Sequence, residues 1–360
     1  MNRSWTRRLR ATLLAAATLV AADPHGESLH GGRGAAARPA AVEWQSQSSG
    51  VTSRLRGISA VSASVAWASG GNGTVLRTVD GGRSWQALPV PGAETLDFRD
   101  VDATSDRVAH VLSIGAGASS RIYKTTDGGA HWDLRFANTD PKVFLDAMAF
   151  WDEQRGVAVG DSVDGHFVIL MTGDGGRSWD RVPADRLPAA SPGEGAYAAS
   201  GTNVAVFGRD QVWIGTTAAR VLRSLDGGLT WTVANAPLAH GTSAGIFSIA
   251  FRDAQHGIVV GGDYQKESEV SDNAAVTADG GATWTRVRGL SGFRSVVAWV
   301  PGAARSIIAI GPSGADWSSD EGRTWSALGG DGFDTVSIAA AGGAAWAAGS
   351  RGRISKVTLP

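Results

Sequence analysis

The sequence predicts an all-β fold of seven radial four-stranded sheets, a seven-bladed β-propeller. Three observations lead there. One turn motif recurs at near-constant spacing, a glycine-ended apolar strand keeps time with it, and the two ends of the repeat region each leave a strand unpaired.

The turn motif comes first. It reads "TVDGGRSW" (78–85), "TTDGGAHW" (125–132), "TGDGGRSW" (172–179), "SLDGGLTW" (224–231), "TADGGATW" (277–284) and "SSDEGRTW" (318–325). All fit S/T-x-D-x-G-x-x-W, with the aspartates at Asp80, Asp127, Asp174, Asp226, Asp279 and Asp320, spaced by 47, 47, 52, 53 and 41 residues. One carboxylate per loop, with no acid at i+2 or i+4, cannot furnish the oxygens of a calcium site. A folding role accounts for each position instead. The hydroxyl and carboxylate accept backbone N–H groups, the later glycine permits positive φ where the chain reverses, and the tryptophan opens the next strand. Glu321 replaces the first glycine in the sixth copy, so only the second reads as obligatory.

The second signal precedes each turn. "VAWASG" (65–70), "HVLSIG" (110–115), "GVAVG" (156–160), "QVWIG" (211–215), "GIVVG" (257–261) and "SIIAIG" (306–311) are short apolar runs ending in glycine, and "AAWAAG" (344–349) makes a seventh with no turn after it. Adding an inner strand before each run and an outer strand opened by the tryptophan gives four strands per period, one blade. Inner strands read from "LRGISAVS", "FRDVDAT", "LDAMAFWD", "FSIAFRD", "FRSVVAWV" and "FDTVSIAA", and the less regular fourth falls within Ala198–Phe207. The seventh blade has room for only three strands, ending "GRISKVTLP". Its outer strand is expected from "VEWQSQSS" (42–49), where Trp44 stands in for the turn tryptophans. Such pairing closes the ring and removes exposed strand edges.

These turns are Asp boxes, also called bacterial neuraminidase repeats. Over residues 42–360 the chain resembles the photosystem II stability/assembly-factor-like family of seven-bladed Asp-box propellers. "GEGAYAASGTN" (193–203) and "GGDYQKESEVSDN" (261–273) look like its non-photosynthetic branch, whose members are often labelled oxidoreductase or glycosyl hydrolase. The resemblance implies an assembly or stability role toward a partner. Asp boxes also occur in sialidases, so they mark a fold more firmly than an activity.

Composition sets the remaining bounds. Apolar residues make up 43% and charged residues 19% of 360, an ordinary soluble balance, but 49 glycines and 14 tryptophans suit a chain of many turns and repeated anchors. Arg3, Arg7, Arg8 and Arg10 precede "ATLLAAATLVAA", which reads as a secretory signal over 1–22, followed by a flexible linker over 23–41. The protein is therefore expected to be periplasmic or secreted, with no stable membrane anchor once the signal is removed. There is no cysteine, hence no disulfide and no lipid anchor through one. Of 33 basic residues four lie in the first ten, against 34 acidic ones, so the remainder is mildly acidic and ill suited to nucleic acid. No G-x-G-x-x-G turn and no paired histidines support redox or zinc chemistry, and no cofactor or metal is expected.

Function is expected on the loop-rich face, near the central channel. "LRGI", "FRDV" and "FRSV" place Arg56, Arg99 and Arg294 at the start of inner strands, and Asp146 and Asp334 fall at the equivalent place in two others. Converging guanidiniums would hold a carboxylate or an acidic peptide segment, and the competing reading pairs them with Asp100, Asp146 and Asp334 between blades. Two loops exceed what the period requires, residues 184–203 and 261–273. They carry Glu194, Tyr197, Asp263, Tyr264, Lys266 and Asn273. The leading expectation is a non-catalytic scaffold for a protein, peptide or glycan in the cell envelope or outside the cell. The alternative is a sialidase-like glycoside hydrolase. It would use Arg56, Arg99 and Arg294 as a triad, Tyr197 beside Glu194 as nucleophile, and Asp146 or Asp263 as acid/base.

Overall fold

A computed structural model describes residues 42–303 and 305–359; the stretches read as signal (1–22) and linker (23–41) lie outside the described residues. The chain forms seven four-stranded antiparallel sheets. Six are consecutive in sequence. In the seventh, Glu43–Gln47 pairs with Ile354–Thr358 in register Trp44 opposite Val357, so the first described strand is the outer strand of the last blade. The fold is a seven-bladed β-propeller, closed by its ends.

The middle strands are buried along nearly their whole length, as in Ala66–Gly70, Gln211–Gly215 and Ile307–Gly311. Each lies between two neighbouring blades, which is why these strands read as continuous apolar runs rather than alternating ones. Their terminal glycines answer a close approach. A Cβ at Gly70, Gly160, Gly261 or Gly311 would come within 1.9–2.3 Å of the carbonyl oxygen of Arg54, Phe144, Gly245 or Phe293, just where the chain enters the inner strand.

The core is divided among the junctions. One apolar cluster joins blades one and two around Trp67, Phe98 and Val111, another joins blades four and five around Trp213, Ile246 and Trp284, and a third joins blades seven and one around Trp346, Leu55 and Leu76. An eighth, small cluster of Ala199, Phe247 and Phe293 sits apart from the seven junctions.

At each turn the hydroxyl and carboxylate form one network. Thr78 Oγ1 accepts Gly82 N–H at 2.8 Å and donates to Asp80 Oδ1 at 2.9 Å, and Asp80 accepts the N–H and hydroxyl of Ser84 at 3.0 and 2.6 Å. Asp174, Asp226, Asp279 and Asp320 accept the N–H and hydroxyl of the residue four positions on, and Asp127 accepts the N–H of His131 and pairs with its ring Nδ1 at 2.6 Å. These bonds to the anionic form hold the Asp127 and Asp279 carboxyls down to about 2. Glu321 takes the first glycine's left-handed backbone at φ 67°, and its carboxylate is held by Arg252. The second glycine has no such freedom, because a Cβ there would strike the preceding blade: Gln47 at Gly82, Leu88 at Gly129, His110 at Gly176.

Candidate functional site

A β-bulge at the start of four inner strands sets the site. The register slips at Arg56, Arg99, Asp146 and Phe247, each the unpaired residue of its strand. A bulge re-aims the extra residue out of the ladder. Arg56, Arg99 and Phe247, with Ser295 and Asp334 from blades six and seven, line one cavity of about 430 Å³.

Arg294 is not there. Its N–H donates to Gly261 O, as Leu55 N–H does to Gly349 O and Phe333 N–H to Gly311 O, so Arg294 holds the wall position of Leu55 and Phe333. Ser295 therefore takes the channel position, one residue later than the "FR" match implies. The Arg294 side chain is fully buried, with Nε 2.7 Å from Asp316 Oδ2, and further bonds to Phe293 O, Ser291 Oγ and Ser313 Oγ. It braces blade six, and the expected three-arginine cluster is corrected to a different set.

Arg54 supplies the third cation. It lies two residues before Arg56, and alternation along extended chain gives the two similar facing. Its guanidinium grips Asp334 from blade seven, Nε to Oδ2 at 2.9 Å and Nη2 to Oδ1 at 2.5 Å, which raises the Arg54 pKa. Arg99 Nε is satisfied by Asp97 at 2.8 Å. Arg56 has no ion pair among the described residues; its one hydrogen bond runs from Nη1 to Ala199 O at 3.4 Å. Burial, and after it the neighbouring Arg99 charge, push the Arg56 pKa down to about 10. The cavity thus holds a cation that lacks an anion.

The floor is made by the long loop before blade four. Ala196 N–H donates to Asp161 Oδ1 in blade three; Arg99 and Arg56 donate to Ala198 O and Ala199 O. Ser200 Oγ donates to Ser295 O in blade six and Ser200 O accepts from Thr335 Oγ1 in blade seven. Thr202 Oγ1 donates to Ser248 Oγ in blade five. Residues 196–202 bond to all six other blades and plug the ring at its axis. Small side chains suit that space: a Cβ at Gly195 or Gly201 would fall 2.0 or 2.2 Å from an oxygen of Asp161 or Asp100. The fourth inner strand, Val204–Phe207, begins directly after the plug. Sequence marked this loop as an excess carrying Glu194 and Tyr197, not as a plug; its Gly/Ala/Ser run was the available signal.

The remaining candidates scatter. Glu194 is buried beside the plug, its oxygens taken by Arg220, Thr216 Oγ1 (2.6 Å) and Ser191 N–H (2.7 Å), none by Tyr197. Burial alone would raise its pKa, but these bonds hold it below the usual carboxylate range. The Tyr197 hydroxyl donates to Ala244 O at 3.2 Å, and burial with nearby Tyr264 and Asp263 pushes its pKa up to about 12. The expected tyrosine–glutamate nucleophile pair is corrected accordingly: the two side chains are bonded to different partners, and burial disfavours the phenolate that attack would require. Asp146 is buried, and its Oδ2 has no hydrogen-bond partner; burial, then Asp161, raise its pKa well above normal. Asp263 does not line the cavity; it accepts Gln265 N–H and stands 3.7 Å from Lys266 Nζ, which also reaches Glu269. Asn273 donates to Glu269 O at 2.6 Å across the same loop. Of that loop's candidates, Tyr264 alone lines the cavity, joined there by Glu267. Among the described residues no three acidic or histidine side chains are grouped to hold a metal.

Fold and site together define a closed seven-bladed propeller with a cationic, plugged axial pocket. Comparable folds include "YCF48 bound to D1 peptide" (TM-score 0.60, 16% identity, covering 88% of this chain and 95% of that one). YCF48 from Cyanidioschyzon merolae aligns at TM-score 0.61 and 18% identity over 88% and 98%, and the WD40 β-propeller domain of Doa1 at 0.61 and 13% over 89% and 98%. At such identities the likeness concerns the fold. No protein-family model and no curated protein sequence matches the chain.

Proposed function

We propose that this protein is a non-catalytic binding scaffold that captures a carboxylate-bearing segment of a partner protein or peptide at the axial pocket. The carrying observation is Arg56, half-buried in the same cavity as Arg99 and without an ion-pair partner among the described residues. An anion entering the cavity would meet two guanidiniums, and charge-assisted bidentate bonds would relieve their repulsion. That a YCF48 propeller is seen with a peptide supports a peptide partner for a similar ring. The basic and apolar start of the sequence supports a partner in the cell envelope or outside the cell.

Titration calorimetry of the full chain against a library of short peptides, half with acidic or free carboxyl termini and half capped and neutral, tests the reading. Saturable binding confined to the carboxylate half is the expected result. Indifference to the carboxylate overturns it.

A further inference from the structure

The cavity that the arginines line is also lined by an aromatic cluster: Tyr197 stacks on Phe247 (3.8 Å between centroids, 10° between planes), and Phe293 meets Phe247 edge-on at 4.7 Å. Tyr264 meets Tyr197 and Phe247 edge-on at 6.3 and 6.1 Å. Phe247 and Phe293 are buried, whereas Tyr264 is 44% exposed, the only exposed Phe, Tyr or Trp among the described residues. Its hydroxyl makes no hydrogen bond among them. The loop that carries it is nonetheless held, by Tyr264 N–H to Ser243 O at 3.1 Å and by the Asn273 and Asp263 bonds at its two ends. An uncovered aromatic ring on a hydrogen-bonded loop beside a pocket offers a partner apolar area to bury.

Resting on the proposed carboxylate capture, we infer that the pocket selects an aromatic residue that bears or directly adjoins the captured carboxylate, with Tyr264 as the specificity-determining side chain. The carboxylate sits on Arg56 and Arg99, and the ring packs into the corner made by Tyr264 and Tyr197. A volume of about 430 Å³ accommodates one such residue and its backbone, not a folded element. Exposed Glu267 on the same rim disfavours a second negative charge.

The test uses the full chain and four synthetic peptides: Gly-Ser-Gly-Phe as free acid, the same as amide, Gly-Ser-Glu-Phe as amide, and Gly-Ser-Gly-Ala as free acid. Phe free acid is expected to bind roughly tenfold tighter than Ala free acid. Comparison with the Glu-Phe amide tells a terminal carboxylate from a side-chain one. Tyr264→Ala is expected to bring the ratio of Phe to Ala affinity down to about one, and Tyr264→Phe to keep it at roughly tenfold. Equal affinity for the Phe and Ala acids, or a preference that survives Tyr264→Ala, overturns this inference and leaves carboxylate capture standing. Loss of discrimination between acid and amide overturns both.

Discussion

Arg294 Nε donates to Asp316 Oδ2 at 2.7 Å, and neither side chain has any exposure to solvent. Removing one partner strands a charge in the interior, at a cost of roughly 3–5 kcal/mol. Arg294→Ala should therefore lower stability by about that amount in urea, whereas Arg294→Met with Asp316→Leu, which removes both charges, should recover most of it. Unchanged stability in Arg294→Ala would return this arginine to the list of solvent-facing ligand residues.

The same pair shows where sequence reading reached and where it stopped. Strand count, blade boundaries and terminal closure were legible, because six turns and seven glycine-ended strands repeat the same chemistry. Arg56, Arg99 and Asp334 were legible as pocket residues by position in the period. Arg294 was misplaced by one residue because "FRSV" matches "FRDV" in letters, while backbone pairing sets Ser295, not Arg294, in the channel. Arg54 was missed although its i, i+2 relation to Arg56 was visible. The plug had no periodicity to read, since its bonds run to six other blades.

Gly201 holds the plug at φ 73°, with Asp100 Oδ1 2.2 Å from where a Cβ would stand. Gly201→Ala combines left-handed strain with a displaced buried carboxylate, and a loss of about 1–3 kcal/mol is expected. Because residues 198 and 199 present their carbonyls to Arg99 and Arg56, the variant should also alter carboxylate affinity. Gly193→Ala, at a similar φ of 72° with open space around it, should cost less and leave binding alone.

His110 is buried against Phe150 (4.2 Å, 20°) and bonds Gly175 O at 3.1 Å. Burial first, then nearby cations, push its pKa down to about 4, the Gly175 bond opposing them. The unfolded chain takes up this proton near 6.5, so the contribution is complete above that pH and is lost as pH falls toward 4. Asp102, raised by burial to about 6, acts in the opposite sense: its contribution is present below about 4 and lost as pH rises through 6. The two partly cancel in wild type. The difference between wild type and His110→Phe isolates the histidine, and it should change by on the order of 2–3 kcal/mol between pH 7 and 4. A pH-independent difference would show that His110 titrates normally.

Trp44 stacks on Phe333 (5.3 Å, 11°) across the closing sheet, and Gln47 Oε1 accepts Trp85 Nε1–H at 3.0 Å. Trp44→Ala should cost about 2–3 kcal/mol, less than a fully buried tryptophan because the ring is half-buried. Deleting residues 42–49 should cost more, and should expose the Ile354–Thr358 edge to self-association, read by light scattering. An equally stable, monodisperse deletion variant would argue against closure through this strand.

If the pocket captures carboxylates, Arg56 and Arg99 serve a ligand more than they serve the fold. The direct measurement is a paired one on Arg56→Gln/Arg99→Gln: melting temperature, and affinity for the tightest carboxylate peptide. A shift of no more than about 3 °C is expected, because relief of the repulsion between the two cations offsets the lost bonds to Asp97, Ala198 O and Ala199 O, together with at least a hundredfold loss of affinity, on the order of two charge-assisted bonds. A large drop in melting temperature with affinity unchanged would contradict it and make the pair part of the ring's own framework.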